Sequence, residues 1–411
     1  MNMFDNRIFL PSNLDDELVN LYRAWDELER DRYKNTIIDF DLASPTSFEP
    51  VESREKILNR IEALLSEFID RSGAVFELIR ARLLASRTYL QSLLGIEIPF
   101  YEYVEKTMGI KPVWFDENLI IEKKKKVNNS LKKFDLELSV NDIYSFQDLF
   151  LIRNQKSLIK QFEFYRQKWL PGLLKWLSLS LDDYDIVVKF ASEDAYWKNW
   201  ISGTLHRHEI ELQINVHPRH KWYQGASETL VLHEYCGHAV QMIKWHQEIE
   251  QGSIPQFFGI LTVHFPDQFI IEGLAETLAY LLPTKKKLES KSEVLRDLHY
   301  YTLVVMNNVH ILANEPQGEE RAFGYASERL PFFEAKSIRA DIRDRTRNPL
   351  FRSYQYVYGI AKHSFLEKLA RLDPGTSRDL LKLVYARPMT PNQFQEIYEE
   401  LRRIRSIKAS R

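Results

Sequence analysis

The chain has 411 residues, of which 44% are hydrophobic and 13% aromatic, so it has enough apolar material for one large core or two smaller ones. Its 56 lysines and arginines nearly balance 58 aspartates and glutamates, which argues against a nucleic-acid partner or a charged membrane surface. Residues 1–17 lack the pattern of a secretory leader, and no stretch is apolar enough to span a bilayer. We therefore expect a cytoplasmic protein with neither a nucleic-acid nor a membrane partner.

The first part of the sequence predicts long amphipathic helices. Apolar residues recur at three- and four-residue steps from Glu52 to Leu94, with a break at Gly73. A helix is expected near Asp15–Tyr33, with its N-cap at Ser12 or the next residue, and another over Ser145–Trp169. This part shows no cluster of metal ligands or nucleophiles, so we interpret it as scaffold.

The character of the sequence then changes. Ile186–Phe190 is a short apolar run, and apolar residues alternate with polar ones from Ile210 to Val216, as in a half-buried strand. Beyond Ser227 the pattern is helical again. We predict a mainly α fold with a small β-sheet beside a metal-binding helix, in which residues 1–180 form one wall of a cleft and residues 181–411 form the catalytic region.

The stretch that carries chemistry is H-E-Y-C-G-H, residues 233–238. In the common H-E-x-x-H pattern, two histidines four residues apart on one helix face bind a single zinc ion. His233 and His238 are five residues apart, which on a regular helix places them about 140° out of phase. A one-residue π-bulge would bring both rings to one face, and Gly237 suits such a distortion.

A catalytic zinc needs a third protein ligand and one open position. Glu272 lies 34 residues after His238, inside an apolar helical run from Phe269 to Leu282. Glu276 follows one turn later on the same face. Two carboxylates on an apolar face are costly to bury alone, but a cation and a hydrogen-bonded histidine would neutralise them. We predict that His233, His238 and Glu272 bind Zn²⁺ and that Glu276, in a second layer, orients either a ligand histidine or the glycine-rich backbone nearby.

At these residues the chain resembles the gluzincin metallopeptidases, which combine an H-E helix with a glutamate ligand from a later helix. Its H-E-x-x-G-H and E-x-x-A-E motifs are similar to those of the dipeptidyl peptidase III family, over the two motifs only. A wider resemblance, from about Ser180 to the C-terminus, is to the bacterial domain-of-unknown-function-885 proteins, which carry H-E-x-x-P-G-H-H-x-Q, E-G-W-A and a later P-x-x-x-x-S-Y-x-x-G. The tubulin tyrosine carboxypeptidase group shares H-E-x-x-x-H and E-G-L-A.

The chain departs from the pattern of the bacterial family at several positions. The proline between the histidines is missing, Leu274 replaces the usual tryptophan, and of the family's D-x-G-x-H only His310 remains. The resemblance points to Tyr356 as a donor to the oxyanion of the reaction, with Tyr354 as the alternative and His310 as a helper. Simple packing of a tyrosine-rich helix is the competing interpretation for each tyrosine.

Together these residues predict zinc-dependent hydrolysis of peptide bonds, with Glu234 as general base for a metal-activated water. The expected partner is a peptide or a small amide substrate, and the edge of the strand Ile210–Val216 offers a place for an extended peptide. Two alternatives stay open: a zinc hydrolase of a non-peptide amide or one specialised small peptide, and a catalytically silent gluzincin-fold binding protein. Retention of Glu234 favours catalysis, because a structural metal needs no base. The sequence leaves the oligomeric state open.

Overall fold

The chain folds mainly into α-helices and adds one small mixed β-sheet, as the sequence predicts. The structure is a computed structural model that describes residues 10–181, 184–194, 199–204, 208–281 and 286–409, with the backbone alone for 405–409.

The helices of the first part follow the predicted apolar periodicity, with local differences. They are α1 (Ser12–Leu28, continued as a π-helix over Glu29–Tyr33), α2 (Arg54–Phe68), α3 (Ala74–Leu93), α4 (Phe100–Met108), α5 (Glu117–Leu131), α6 (Val140–Leu149) and α7 (Gln155–Leu177). The break at Gly73 is confirmed, since that residue has a φ of 114° between α2 and α3. The expected single helix over Ser145–Trp169 is wrong, because Asn154 caps a new helix with its side chain. Ser12 is also not the N-cap, since α1 begins directly after Pro11.

The five strands that the structure describes form one sheet in the order β2-β4-β3-β1-β5. They are β1 (Phe40–Asp41), β2 (Asp185–Ala191), β3 (Asn199–Thr204), β4 (Glu209–Asn215) and β5 (Ile260–Leu261). The predicted alternation holds in β4, whose Ile210, Leu212 and Ile214 are buried. However, β4 is paired on both sides, parallel to β2 and antiparallel to β3, so it has no free edge. β3 meets β1 only at Thr204, and among the described residues the rest of that edge of β3 has no ladder partner.

The helices of the second part surround the sequence motifs. They are α8 (Gln224–Leu230), a π-helix (Val231–Ala239), α9 (Val240–Glu250), α10 (Gln268–Leu281), α11 (Ser290–Ala313), α12 (Gly318–Arg329), α13 (Ala335–Arg347), α14 (Phe351–Ala370), α15 (Pro374–Ala386) and α16 (Pro391–Ala409). α10 covers the predicted apolar run from Phe269, while Leu282 lies outside the described residues.

Apolar clusters join the two predicted regions of the chain. Trp169 of α7 belongs to the same buried cluster as Leu274 of α10 and Phe365 of α14. Trp25 of α1 shares a second cluster with Trp245 of α9. The two regions, residues 1–180 and 181–411, therefore share hydrophobic cores. Both α10 and α14 contribute buried side chains to the first of these cores. Within the described residues, no helix is both long and apolar enough to cross a bilayer.

Candidate metal centre

His233 and His238 project from the π-helix between α8 and α9. The wider turn of a π-helix changes the angle between residues five apart, and it places the two Nε2 atoms 3.1 Å from each other. The π-distortion that the five-residue spacing predicts is therefore confirmed. Two imidazole nitrogens at this distance face the same small volume.

Gly237 contributes space rather than an unusual backbone angle. A Cβ atom at this position would lie 2.7 Å from the Cβ of Ala275 and 2.9 Å from its Cα. Real Cβ atoms do not approach other carbons so closely, because such overlap is strongly repulsive. The glycine thus allows the π-helix to pack directly against α10, which carries the third predicted ligand.

Glu272 of α10 completes what we call the ligand group, His233, His238 and Glu272. One possible ligand atom from each residue lies within 4.8 Å of the other two. The Oε2 atom of Glu272 is 3.6 Å from Nε2 of His233 and 3.7 Å from Nε2 of His238. This oxygen is buried and has no hydrogen-bond partner among the described residues. A buried carboxylate oxygen without a partner is energetically unfavourable, and a cation at this point would resolve it. The group can therefore hold a metal ion.

The protonation states of the ligand group suit a cation. Burial lowers the pKa of His233 to about 4, and it lowers the pKa of His238 well below its ordinary value. Both imidazoles are therefore neutral at pH 7 and have lone pairs to offer. Burial raises the pKa of Glu272 well above its ordinary value, although the hydroxyl of Tyr354 opposes the shift. Burial thus favours the protonated form of this carboxyl, and a bound metal would displace that proton.

Glu234 sits beside the ligand group without belonging to it. Its Oε1 atom is 3.9 Å from Nε2 of His233, and burial raises the pKa of its carboxyl to about 8. The same oxygen accepts a hydrogen bond from Nδ2 of Asn199 at 2.7 Å. Asn199 begins β3, so the sheet lies, as predicted, next to the helix that carries His233 and His238. No motif or spacing in the sequence pointed to Asn199, because its approach to Glu234 depends on how the sheet packs.

Glu276 forms a second layer behind His233. Its Oε1 atom lies 3.7 Å from Nδ1 of His233, which agrees with the predicted placement behind a ligand histidine. The carboxylate accepts hydrogen bonds from Nε2 of His299 at 2.9 Å and from Nζ of Lys362 at 2.8 Å. Burial alone would raise the pKa of Glu276, but His299 and Lys362 outweigh it and the pKa lies well below its ordinary value. Glu276 is therefore ionised, and neither His299 nor Lys362 was singled out in the sequence.

Of the three residues predicted to assist at the oxyanion, Tyr354, Tyr356 and His310, only Tyr354 contacts the ligand group. Its hydroxyl donates to Oε1 of Glu272 at 2.6 Å and accepts a hydrogen bond from Tyr358 at 2.7 Å. The hydroxyl of Tyr356 instead accepts from the backbone N–H of Val113 at 2.7 Å and lies 3.1 Å from its carbonyl oxygen.

His310 also makes its contacts elsewhere. Nδ1 of His310 accepts from Nη1 of Arg345 at 3.1 Å, and its ring packs against Phe100 and Tyr356. The structure thus brings the predicted ligands, Glu234, Glu276 and Tyr354 together, and it places Tyr356 and His310 in a neighbouring buried cluster.

Fold and site together define a helical protein with a histidine–glutamate group that can hold a metal ion, in which His238 and Glu272 are buried and His233 is partly exposed. Comparisons with family models and with curated proteins give no match. The fold is similar to the crystal structure of a candidate lipoprotein from Colwellia psychrerythraea, with a TM-score of 0.60 and 14% sequence identity. The match covers 86% of this chain and 67% of that one. At this identity it shows a shared fold alone.

Proposed function

We propose that the protein is a zinc-dependent hydrolase of peptide bonds, with the ligand group binding the metal and Glu234 acting as general base. One observation carries this proposal. Two neutral imidazoles and an unpartnered carboxylate oxygen converge, and a separate buried carboxylate, Glu234, lies 3.9 Å from one of the imidazoles. A purely structural metal site would have no use for that extra carboxylate.

The donor set supports zinc over the hard cations. Catalytic zinc sites use three protein ligands of the histidine and carboxylate type and keep one position for water. Calcium and magnesium prefer oxygen ligands throughout, which this group does not offer. When bound, zinc would supply an acidified water and polarise the scissile carbonyl.

The chain's own residues would then manage the proton. Asn199 holds one oxygen of Glu234, so the carboxylate has a fixed orientation beside His233. From there Glu234 would take the proton of the attacking water and deliver it to the leaving amine. Tyr354, whose hydroxyl accepts a hydrogen bond from Tyr358, donates to Oε1 of Glu272, which leaves Oε2 for the metal. A role at the oxyanion stays a sequence prediction for Tyr356 and His310.

The edge of β3 favours a peptide over a small amide. Asn199 contacts Glu234, and the edge that continues from it to Gly203 lacks a ladder partner among the described residues. An extended peptide can add to such an edge through backbone hydrogen bonds. The peptide bond that follows the paired segment would then lie close to Glu234, the proposed base. The resemblance to gluzincin metallopeptidases at H-E-x-x-x-H and E-G-L-A-E points the same way.

Replacing Glu234 by glutamine tests the proposal, because it removes the base and keeps the shape. We expect the purified wild-type chain to hold about one zinc ion and to cleave members of a peptide library read by mass spectrometry. Glu234→Gln should keep its zinc and lose activity by about 10²–10⁴-fold.

A matched control is Glu248→Gln on α9, where the carboxylate pairs with Lys244 of the same helix. It should keep both zinc and activity. A zinc-free wild-type chain, or full activity in Glu234→Gln, would contradict the mechanism. Zinc and peptide binding without cleavage in the wild type would instead support the silent binding protein.

A further inference from the structure

Two helices meet through matched rows of polar side chains. On α10, Glu272 and Glu276 are four residues apart, and on α14 Tyr354, Tyr358 and Lys362 follow at the same interval. Residues four apart share one face of a helix. The two rows therefore confront each other, with Tyr354 donating to Glu272 at 2.6 Å and Lys362 donating to Glu276 at 2.8 Å.

Lys362 is an unusual residue at this depth. Its side chain is only 2% exposed and that of Glu276 only 6%. A buried ammonium group is tolerated when it is paired and hydrogen-bonded, and removing one partner leaves the other charge uncompensated. His299 of α11, whose side chain is 50% exposed, holds the same carboxylate from the solvent side. Glu276 is thus fixed between two donors from different helices.

The fixed carboxylate faces a metal ligand. When Nε2 of His233 serves as the ligand atom, the ring carries its proton on Nδ1, and Oε1 of Glu276 lies 3.7 Å from that nitrogen. A carboxylate behind a ligand histidine sets the orientation of the ring, and its loss typically weakens metal binding about 10–100-fold. Whatever keeps Glu276 in place therefore acts on the metal centre.

We infer that Lys362 is a positioning residue for the metal centre: through Glu276 it holds the ring of His233 with Nε2 towards His238 and Glu272. The inference rests on the proposed function, because it needs the ligand group to bind a cation. The competing explanation is an ion pair that only fastens α14 to α10. In that case Lys362 would contribute to folding stability and not to metal affinity.

A double-mutant cycle separates the two explanations. Zinc dissociation constants are measured by chelator competition on the full chain with Lys362→Met, Glu276→Gln, and both substitutions. We expect Lys362→Met to weaken zinc binding about 10–100-fold. The same substitution should have little further effect in the Glu276→Gln background, because its route to His233 is already cut.

Lys368→Met is the matched control: Lys368 lies on the same helix, donates to Ser364 Oγ at 2.8 Å and faces the rings of Phe394 and Tyr398. It should leave zinc affinity within twofold of the wild type. If Lys362→Met fails to fold, Glu276→Gln and the double variant are compared, since neither keeps the ionised Glu276 carboxylate; equal affinities are expected.

Two results would overturn the inference: unchanged zinc affinity in Lys362→Met with a lowered Tm, or weaker zinc binding in the double variant than in Glu276→Gln. Failure of the proposed function has a different signature. It would appear as absent zinc binding in the wild-type chain, or as full activity in Glu234→Gln.

Discussion

Two buried histidine clusters in this protein show how a structural site differs from a candidate functional one. His264 has a partner at each ring nitrogen, with Ser86 Oγ 2.9 Å from Nε2 and Thr262 Oγ1 2.8 Å from Nδ1. In the ligand group, by contrast, the Nε2 atoms of His233 and His238 face each other, and the adjacent Oε2 atom of Glu272 has no hydrogen-bond partner among the described residues. The chain thus supplies hydrogen-bond partners for both ring nitrogens of His264, whereas the ligand group needs a further partner, which a cation could provide.

Burial alone does not separate the two clusters. It lowers the pKa of His264 to about 3 and that of His233 to about 4, so all these rings are neutral at pH 7. The difference lies in the partners. A buried histidine with a hydrogen bond at each ring nitrogen is fully satisfied by the protein. Lone pairs that converge without a donor are instead stabilised by a cation.

The largest expected effect is on zinc binding, and it is tested by replacing one histidine from each cluster with alanine. His238→Ala should weaken zinc binding by roughly a hundredfold or more, since four ligands together supply about 10–16 kcal/mol in structural zinc sites. His264→Ala should leave zinc affinity unchanged. It should lower the free energy of unfolding by about 1–3 kcal/mol for each hydroxyl left unpaired. Zinc calorimetry and urea unfolding of the metal-free chains measure both quantities, and a zinc defect in His264→Ala would break the contrast.

A smaller effect is expected from Gly237→Ala, which fills the contact between the π-helix and α10. The added Cβ would meet Ala275 at 2.7 Å, so we expect a loss of about 1–3 kcal/mol in unfolding free energy and weaker zinc binding. Gly324→Ala on α12 is the control, because nothing lies within 4 Å of its added Cβ. That variant should be neutral or slightly stabilised, since alanine favours a helix. Equal behaviour of the two variants in urea unfolding would refute the close-packing argument.

The mildest test is the pH dependence of zinc binding. Burial raises the pKa of Glu272 well above its ordinary value and that of Glu234 to about 8, so it favours the protonated form of both carboxyls in the metal-free chain. A cation displaces such protons, so zinc affinity should rise with pH below about 8, by up to about tenfold per pH unit for each proton released. Calorimetry in buffers of different ionisation enthalpy counts those protons. Affinity that stays constant from pH 6 to 8 would show that the carboxyls are already ionised.

The sequence predicted the parts of the site that depend on local spacing. The interval between His233 and His238 required a π-helical turn, and the structure contains one. Glu272 and Glu276 stood out because carboxylates one turn apart on an apolar helix need partners. Such inferences need only the geometry of a single helix, which the residue types and their spacing are enough to predict.

The remaining contacts depend on packing between distant elements. Asn199, His299 and Lys362 reach the site from β3, α11 and α14, and no spacing in the sequence relates them to the histidines. The choice between Tyr354 and Tyr356 also depends on how distant elements pack together. Residues two apart point to different sides of a helix, so only one of them can face α10, and the sequence does not show which face that is.

The π-helix is preorganised by the cores on either side of it. α8 and α9 flank it without interruption, and Met242 and Trp245 of α9 are buried in the apolar interior. If the stretch tightened to ordinary α geometry, one surplus residue would turn α9 by about 100° about its axis and rotate those side chains out of the interior. Hydrophobic packing therefore maintains the π-helical turn independently of any ion, so the side chains that could hold a metal ion are already arranged in the metal-free protein.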